Sequence, residues 1–443
     1  MPVTVIVGEQ RGDEGKGRFV DMFAAEADDV GRGQGGNNAG HTIVTEEGVE
    51  LAVNNIPSGI ATPNTMNIIG PGCLVNAVSI DREIDGITSK GFGVSPDNLM
   101  IASGAHLILP HYISVDEVRE AGRGSQGSTQ RGIAPTASGK YLRDTEQALR
   151  AEVIKNNPDK LYDTIVTNLE AQQPYREELG LDPMDPESTA QDYLEKALKL
   201  ADFITHTTLY INRELKANAN VVAEGAQAFL LDIDHGMWPF VTSSSTTAGG
   251  VLNGLGIPPS RFNTKVIGVS KLVQSHVGKG PFVTEVNPEN EPGLYEQLHG
   301  DKTTIDAETG TVSGRERRLG YLDLPGIRLA QMVNGTTEMA VTKLDWVPRF
   351  GDTVKICVSY NRKNKLIDVA PDAAYKLEQC TPNYIELPTW TEDIQGVRTF
   401  EDLPNNAQEY IEVIEKLLEI PITMIGVGPR RDQVIDRKNP KGI

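Results

Sequence analysis

Val3-Thr-Val-Ile-Val7 runs directly into the glycine-rich turn Gly8-Glu-Gln-Arg-Gly-Asp-Glu-Gly-Lys-Gly-Arg18. The apolar run predicts a buried strand, and the apolar residues between Gly15 and Ala27 recur at helical spacing. Glycines in such a turn let backbone N–H groups approach an anion. The stretch therefore predicts strand, phosphate-binding loop and helix, with an ordinary tight strand-to-helix turn as the alternative.

This loop does not follow the Walker pattern. Gln10 stands six residues before Lys16 where a glycine is required, and Gly17 replaces the Ser or Thr whose hydroxyl binds Mg²⁺. Asp13 can supply the missing oxygen ligand, because Mg²⁺ favours carboxylates together with phosphate oxygens.

A second glycine-rich loop, Gln34-Gly-Gly-Asn-Asn-Ala-Gly-His-Thr42, follows closely. We interpret the two loops as one active site, because each adds reactive side chains to small residues: Asp13 and Lys16 in the first, Asn38 and His41 in the second. A histidine in this position can donate to a phosphate oxygen or act as an acid or base near neutral pH. A surface histidine that makes a turn hydrogen bond is the alternative.

Short apolar runs recur along the chain, with helical patterns between several of them. This alternation predicts an α/β fold with a large, mostly parallel central sheet flanked by helices, similar to P-loop NTPases. We expect one domain over residues 1–443, with a helical subdomain near 144–215 and a loop-rich excursion near 281–324. The predicted strands are Val3–Val7, Thr65–Ile69, Asn98–Ala102, Asn220–Ala223, Lys265–Val269, Met339–Thr342, Val354–Val358 and Ile422–Ile425.

Composition narrows the class of protein. The formal net charge of -19 argues against binding to nucleic acid, since two polyanions repel each other. No segment is long and apolar enough to span a bilayer, and the first residues lack the pattern of a secretory signal. The three cysteines show no metal-ligand spacing and no disulfide framework. We therefore expect a cytoplasmic protein.

Two later motifs suit a guanine base and an anionic ligand. Thr342-Lys-Leu-Asp345 follows a predicted strand. There Asp345 can accept from the N1–H and amino groups of guanine while the stem of Lys343 covers the ring; an ordinary strand end is the alternative. Ser313-Gly-Arg-Glu-Arg-Arg318 is arginine-rich. Arginine forks suit a dicarboxylate or a phosphate, and a solvated charged loop is the alternative.

Eight motifs follow one another along nearly the whole chain. They are Gln10-Arg-Gly-Asp-Glu-Gly-Lys-Gly17, Gln34-Gly-Gly-Asn-Asn-Ala-Gly-His-Thr42, Glu224-Gly-Ala-Gln227, Asp232-Ile-Asp-His-Gly236, Val241-Thr-Ser-Ser-Ser-Thr-Thr-Ala-Gly-Gly250, Gly314-Arg-Glu-Arg-Arg318, Thr342-Lys-Leu-Asp345 and Gly426-Val-Gly-Pro429. In order and spacing these motifs resemble the adenylosuccinate synthetase family, and their combination is far more specific than any single motif.

The resemblance implies a GTP-dependent carbon–nitrogen ligase that joins L-aspartate to IMP. Asp13 would remove the N1 proton so that O6 attacks the γ-phosphate of GTP, and His41 would stabilise the transferring phosphoryl group. The amine of aspartate would then displace phosphate from the 6-phosphoryl intermediate. Mg²⁺, held by Asp13 and the carbonyl of Gly40, and a homodimer are also implied.

The resemblance also implies a role for each matching residue. The catalytic set is Asp13, Lys16, His41 and Gln227. The nucleoside monophosphate set is Asn38, Thr129, Gln227 and Thr242, with Arg143 reaching the neighbouring subunit's site. The L-aspartate set is Ser313, Arg315 and Arg317. The GTP set is Gly12, Gly15, Lys16, Gly17, Gly40, His41, Thr42, Lys343, Asp345, Gly426 and Gly428.

The chain departs from the family pattern on the side of the acceptor nucleotide. Arg11 stands where the family usually has an aromatic or apolar residue, and Asn37 replaces a common histidine. Residues 127–140 and 271–278, the latter with Val273 and His276, also differ. Because the guanine and aspartate motifs are nearly unchanged, we expect the same reaction. The retained Asp13 favours IMP as the acceptor nucleotide. The alternative acceptor is dGMP, as in phage-type enzymes that make 2-aminodeoxyadenylosuccinate.

An alternative of another class is a non-catalytic nucleotide-binding regulator. The intact set of Asp13, Lys16, His41, Arg315 and Asp345 argues against it, because such a protein has no chemical need for all of them.

Overall fold

The structure, a computed structural model, describes residues 2–45, 48–122, 127–260, 262–299 and 316–439. Its strands are β1 Pro2–Gly8, β2 Asp29–Arg32, β3 His41–Val44, β4 Glu50–Val53, β5 Met66–Ile69, β6 Leu74–Val75, β7 Leu99–Ala102, β8 His106–Leu107, β9 Ile204–Thr205, β10 Val221–Glu224, β11 Asn263–Lys271, β12 Gln274–His276, β13 Arg318–Gly320, β14 Leu322–Asp323, β15 Glu338–Thr342, β16 Thr353–Arg362, β17 Lys365–Ile367, β18 Cys380–Pro388, β19 Ile422–Gly426 and β20 Val434–Asp436.

The helices complete the α/β arrangement. They are α1 Lys16–Ala24, α2 Ala77–Ser89, α3 Pro110–Ala121, α4 Ile133–Leu142, α5 Val153–Asn156, α6 Pro158–Glu178, α7 Pro186–Lys199, α8 Thr207–Lys216, α9 Ala248–Leu255, α10 Pro292–His299, α11 Leu324–Asn334, α12 Ala374–Leu377 and α13 Asn405–Leu418. Within the described ranges, none of the helices combines the length and the apolar character that crossing a bilayer requires.

A ten-stranded sheet forms the centre of the molecule, in the order β20-β19-β15-β11-β1-β10-β2-β5-β7-β9. Every pairing in it is parallel except that of β19 with β20. The prediction of a large, mostly parallel sheet flanked by helices is confirmed. Central strands such as β2, β10, β15 and β19 are buried along their whole length, as strands covered on both faces must be.

One predicted strand lies elsewhere. The run Val354–Val358 belongs to β16, which pairs with β14, β17 and β18 in a separate sheet. The strand predicted for this run is therefore present, but it lies outside the central sheet. The physical reason is visible in β16, where buried residues are interspersed with exposed and half-buried ones, as expected for a sheet with one face in water.

Alternate residues of β1 face two different layers of helices. Val3, Val5 and Val7 pack against apolar residues of α8 and α9. Ile6 faces the other way, in a cluster with Phe19 of α1 and with residues of β11, β15 and β19. Helices α6 and α7 pack with α2 in a further apolar cluster that also includes residues of β5 and β7.

The parallel pairing brings the carboxyl ends of distant strands to one edge. Gly8 of β1 lies there beside Glu224 of β10 and Lys271 of β11, with Thr342 of β15 and Gly426 of β19 further along the sheet. Loops at this edge are where open α/β sheets bind ligands. The glycine-rich loop after β1 therefore faces the loops after β10, β11 and β15.

Glu9, directly after β1, is a fully buried carboxyl group. Oε1 accepts from the hydroxyl of Thr336 and Oε2 has no hydrogen-bond partner. Burial, with the nearby charge of Glu14 adding to it, raises the pKa of Glu9 to about 8. Folding therefore takes up a proton. The protonated Glu9 contributes to the free energy of unfolding. This contribution is fully present below the unfolded pKa of 4.5 and is lost as the pH rises through about 8.

We expect Glu9→Gln to stabilise the protein at pH 8 by about 4 kcal/mol, because the amide stays neutral and the pKa of the carboxyl is raised from 4.5 to about 8 by folding. At pH 5 the gain should fall to about 1 kcal/mol or less, since the carboxyl is then protonated in the folded protein at little cost. Urea unfolding at both pH values measures this difference. Glu26→Gln, at an exposed position, is the matched control; equal effects of the two substitutions would contradict the prediction.

Candidate active site

A cavity of about 480 Å³ opens between the loops at the carboxyl edge of the sheet. Both glycine-rich loops line it, together with the loops that follow β10 and β12. Of the residues predicted from the sequence, those that line it are Gly12, Asp13, Gly15, Lys16, Gly17, Asn38, Gly40, His41, Thr42, Thr129, Gln227, Thr242 and Arg317. The two loops therefore meet in one cavity.

The first loop is held by its own glutamate. Glu14 accepts from the backbone N–H of Gly12 at 2.7 Å and from Nζ of Lys16 at 2.6 Å. Its carbonyl accepts from the hydroxyl of Thr342 at 2.9 Å, which ties the loop to the end of β15. Because Lys16 and Glu14 are both buried, this ion pair fixes the lysine ammonium at the wall of the cavity.

Asp13 lies in the bend of the loop with a φ of 57°. A non-glycine residue in this left-handed region is uncommon, and such residues concentrate at functional sites. Its Oδ2 accepts from Arg317, from Nε at 3.0 Å and from Nη2 at 2.8 Å. Gln227 has a similar φ of 56°, and its Nε2 donates to Oδ1 of Asn38 at 3.2 Å.

His41 belongs to a buried charged network. Its Nδ1 contacts Oε1 of Glu224 and lies 3.2 Å from the hydroxyl of Ser58. Arg32 places Nη2 2.9 Å from the same ring nitrogen and 3.3 Å from Glu224. Ser58 also donates to both oxygens of the glutamate, at 2.7 Å from the hydroxyl and 2.8 Å from the backbone. The ring of His41 is therefore fixed in one orientation.

The ionisation of this network follows from its burial. Burial alone would raise the pKa of Glu224, but Arg32 and His41 outweigh it and lower that pKa to about 2. Burial, and then the charge of Arg32, lower the pKa of His41 despite the carboxylate. Glu224 is thus an acceptor for Nδ1–H. Nε2 of His41 lies 3.3 Å from Nη2 of Arg32, and this nitrogen can take up a proton when negative charge on a ligand favours the imidazolium.

The predicted guanine-binding residues lie outside this cavity, further along the same edge. Lys343 and Asp345 follow β15, and Gly426 and Gly428 lie at and beyond the end of the neighbouring β19. Nζ of Lys343 lies 3.4 Å from the ring centroid of Trp346. The first loop reaches this region, since Arg18 donates from Nη2 to the carbonyl of Pro429 at 2.5 Å.

One further predicted residue, Arg143, is not among the residues that line this cavity. Arg143, with a φ of 59°, ends α4 and lines a separate groove with Lys140 and Arg150. Tyr141 and Leu142 beside it are exposed. Ser313 and Arg315 lie outside the described residues.

The donor set of the cavity suits Mg²⁺ with phosphate oxygens. The carboxylate of Asp13 is partly exposed at the cavity wall, and Gly40 lines the same cavity. One carboxylate with few other protein ligands is typical of Mg²⁺ sites that are completed by nucleotide phosphates. Among the described residues, no group of three or more His, Cys, Asp or Glu could hold a metal by itself.

Comparison with known proteins agrees with this geometry. The adenylosuccinate synthetase family profile matches residues 5–435. The chain belongs to this family. It is 42% identical over 440 residues to adenylosuccinate synthetase from Thermoanaerobacter sp. (strain X514), covering 98% of this chain and 99% of the relative. It is 39% identical over 442 residues to the enzyme from Caldanaerobacter subterraneus subsp. tengcongensis, with 99% and 100% covered.

Two solved structures are also similar. The fully ligated adenylosuccinate synthetase from Plasmodium falciparum has a TM-score of 0.87 and 33% identity, covering 98% of this chain and 99% of that one. The cyanophage S-2L succinoaminodeoxyadenylate synthetase bound to dGMP and dATP has a TM-score of 0.61 and 18% identity, covering 98% and 95%. At that identity it shows the shared fold alone.

Family membership confirms the prediction of a GTP-dependent carbon–nitrogen ligase. Adenylosuccinate synthetases act in purine biosynthesis, use Mg²⁺ and are typically homodimers.

Most of the residues that position the predicted side chains carry no clear signal in the sequence. Arg32, Ser58 and Glu224 around His41, and Glu14 beside Lys16, were not assigned roles. A signal did exist for Glu224, because it directly follows the apolar run at 220–223 and so stands at the carboxyl edge of a predicted parallel strand.

Proposed function

We propose that this protein joins L-aspartate to C6 of IMP and that the conversion of GTP to GDP and phosphate drives the reaction, which gives adenylosuccinate. The observation that carries the proposal is the convergence of Asp13, Lys16, His41 and Gln227 on one cavity at the carboxyl edge of the sheet. Phosphoryl transfer needs positioning and charge neutralisation, and these side chains supply both.

In the first step Asp13 takes the N1 proton of the purine. The electron pair moves onto O6, which attacks the γ-phosphorus of GTP, and the bond to the β-phosphate oxygen breaks to release GDP. Asp13 fits this task because the bend of the loop holds it in place and its carboxylate is partly exposed to the cavity.

His41 and Lys16 stabilise the transferring group. Glu224 fixes the ring of His41 through Nδ1, so that Nε2 can donate a hydrogen bond to the phosphoryl oxygens once their charge favours the imidazolium. Lys16, held by Glu14, adds a fixed positive charge at the cavity wall.

Mg²⁺ would be held by Asp13 and the carbonyl of Gly40, and it would neutralise phosphate charge when bound. The side chain of Arg317 donates a hydrogen bond to Oδ2 of Asp13 in this structure. Binding of Mg²⁺ and the substrates would therefore have to replace this hydrogen bond.

In the second step the amine of L-aspartate attacks C6, the C6–O bond breaks to release phosphate, and the departing phosphate takes the proton that the amine loses. Ser313, Arg315 and Arg317 would bind the carboxylates of the amino acid, since arginine forks match carboxylates. Asn38, Thr129, Gln227 and Thr242 would hold the nucleoside monophosphate.

The guanine of GTP would be bound beyond the first loop, where Asp345 accepts from its N1–H and amino groups. Lys343, stacked on Trp346, would cover the ring, with Gly426 and Gly428 allowing close approach.

We further propose a homodimer in which Arg143 reaches the partner's nucleotide site; the exposed end of α4 beside it supports this assignment.

The chain would act as one domain, since one apolar cluster joins α6 and α7 to the central sheet. Its free cysteines suit the reducing cytoplasm.

Phosphate release measured with L-aspartate and each pair of nucleotides tests the proposal. We expect turnover with GTP and IMP, and little with ATP, because Asp345 repels a ring that offers no N1–H donor. dGMP is the competing acceptor; retained Asp13 favours IMP. Turnover with dGMP alone would overturn the choice of acceptor, and equal rates with ATP would remove the guanine-reading role of Asp345.

A further inference from the structure

Arg11 brings an unbalanced positive charge to the wall of the cavity. The side chain is only 4% exposed and lines the cavity two residues before Asp13. Nη1 lies 2.9 Å from the sulfur of Met237, a weak acceptor, and the guanidinium lies 4.8 Å from the ring centroid of Phe282. Nε is buried and has no hydrogen-bond partner.

The neighbouring arginines differ because each has a carboxylate. Arg317 pairs with Asp13, and Arg318 pairs with Glu285. No carboxylate among the described residues lies within ion-pair distance of Arg11. Among nearby charges, Asp323 does most to raise the pKa of Arg11, followed by Tyr360 and Glu285, and Asp323 already accepts from the hydroxyl of Tyr360 at 2.6 Å. A buried charge without a partner is costly, so an anionic ligand at this position would be strongly favoured.

His276 adds an unused acceptor to the same cavity. It is 3% exposed, and its Nε2 donates to the carbonyl of Lys279 at 3.0 Å. Burial, and then the charge of Arg11, lower the pKa of His276 to about 3, so the ring is neutral. Nδ1 is therefore an acceptor, and it is buried without a partner. Phe282 supports both groups, with the ring of His276 at 6.4 Å in an edge orientation.

The positions of Arg11 and His276 indicate that their ligand is the amino acid and not a nucleotide. In the pairing of β12 with β13, His276 lies opposite Arg318, the residue after Arg317. Arg11 and His276 thus lie near the end of the arginine-rich segment, whereas the pair of Asn38 and Gln227 marks the nucleotide side. A cationic donor beside a neutral acceptor matches the carboxylate and amino groups of an α-amino acid.

We propose that Arg11 and His276 form a further part of the L-aspartate subsite, with Arg11 binding a carboxylate and Nδ1 of His276 accepting from the amino group. The inference rests on the proposed function, because it assumes that L-aspartate is a substrate.

The first test compares Arg11→Met with Arg11→Lys and with Arg82→Met, an exposed arginine of α2 that controls for the chemical change. In Arg11→Met we expect the KM for L-aspartate to rise about 10- to 100-fold, the effect of losing a charge-assisted hydrogen bond. The KM values for IMP and GTP should stay within about 2-fold. Arg11→Lys should recover much of the loss, since it keeps the charge.

The second test separates the two groups. Succinate has both carboxylates of aspartate but no amine, so its inhibition constant against L-aspartate should rise in Arg11→Met and stay unchanged in His276→Phe. The KM for L-aspartate should rise in both variants. The melting temperature of ligand-free Arg11→Met should not fall, because an unpaired buried charge has been removed.

An unchanged KM for L-aspartate in Arg11→Met would overturn the inference. So would a rise confined to IMP or GTP, which would assign Arg11 to a phosphate. If the wild-type enzyme does not consume L-aspartate at all, the proposed function itself has failed, and that result is distinct from a normal enzyme with an insensitive Arg11 variant.

Discussion

Asp13→Asn is expected to reduce kcat by about 10³-fold, within the range of 10²–10⁴ for loss of a general base. The amide has nearly the same shape as the carboxylate, and asparagine tolerates the left-handed backbone at φ 57°. What disappears is the ability to take the N1 proton, together with the charge that Arg317 contacts at 2.8 Å. Phosphate release at saturating GTP, IMP and L-aspartate measures the loss.

A second measurement assigns the loss to the first chemical step. If O6 is phosphorylated reversibly, GTP labelled with ¹⁸O in the bridge between the β- and γ-phosphates should scramble its label when IMP is present and L-aspartate is absent. Asp13→Asn should abolish this exchange. Asp97→Asn, an exposed aspartate on the surface, is the control. Normal exchange in Asp13→Asn would mean that another group removes the proton.

The fold was largely predictable because most strands at the centre of the large sheet are short apolar runs that are buried on both faces. The runs before Gly8 and Gly426 illustrate this. The strand β2 was not predicted, because its four residues begin with Asp29 and end with Arg32 and so form no apolar run. Edge strands such as β9, with only two residues, carry too little pattern to be recognised.

The site residues were predictable only where they lie close to one another in the sequence. Asp13 and Lys16 lie within one turn, and His41 lies in the next glycine-rich loop. Their spacing in the sequence was therefore enough to predict them as site residues. The partner of His41 is 183 residues away, and only the pairing of β10 between β1 and β2 brings it close. No periodicity encodes such a contact. Arg11 could be noted as unusual from the sequence, but its missing counter-ion appears only in three dimensions.

Glu224→Gln tests whether that distant partner is as important as the geometry indicates. The substitution keeps the shape of the side chain but removes the charge between Arg32 and His41, both of which are buried. Breaking a buried ion pair by neutralising one member typically costs about 3–5 kcal/mol, because the other charge is left uncompensated. We expect a loss of that size in urea unfolding.

The same substitution should lower kcat by about 100-fold, because His41 loses the carboxylate that fixes its ring and supports an imidazolium during phosphoryl transfer. Glu83→Gln is the matched control. Glu83 is another buried carboxylate, which accepts from the backbone N–H groups of Asn54, Asn55 and Ile56 and does not contact the histidine. It should destabilise the fold while leaving kcat within about 3-fold. If both variants lose stability and activity in parallel, Glu224 acts on the fold alone. If only Glu224→Gln loses kcat under conditions where both variants are folded, the carboxylate of Glu224 acts on the reaction through His41.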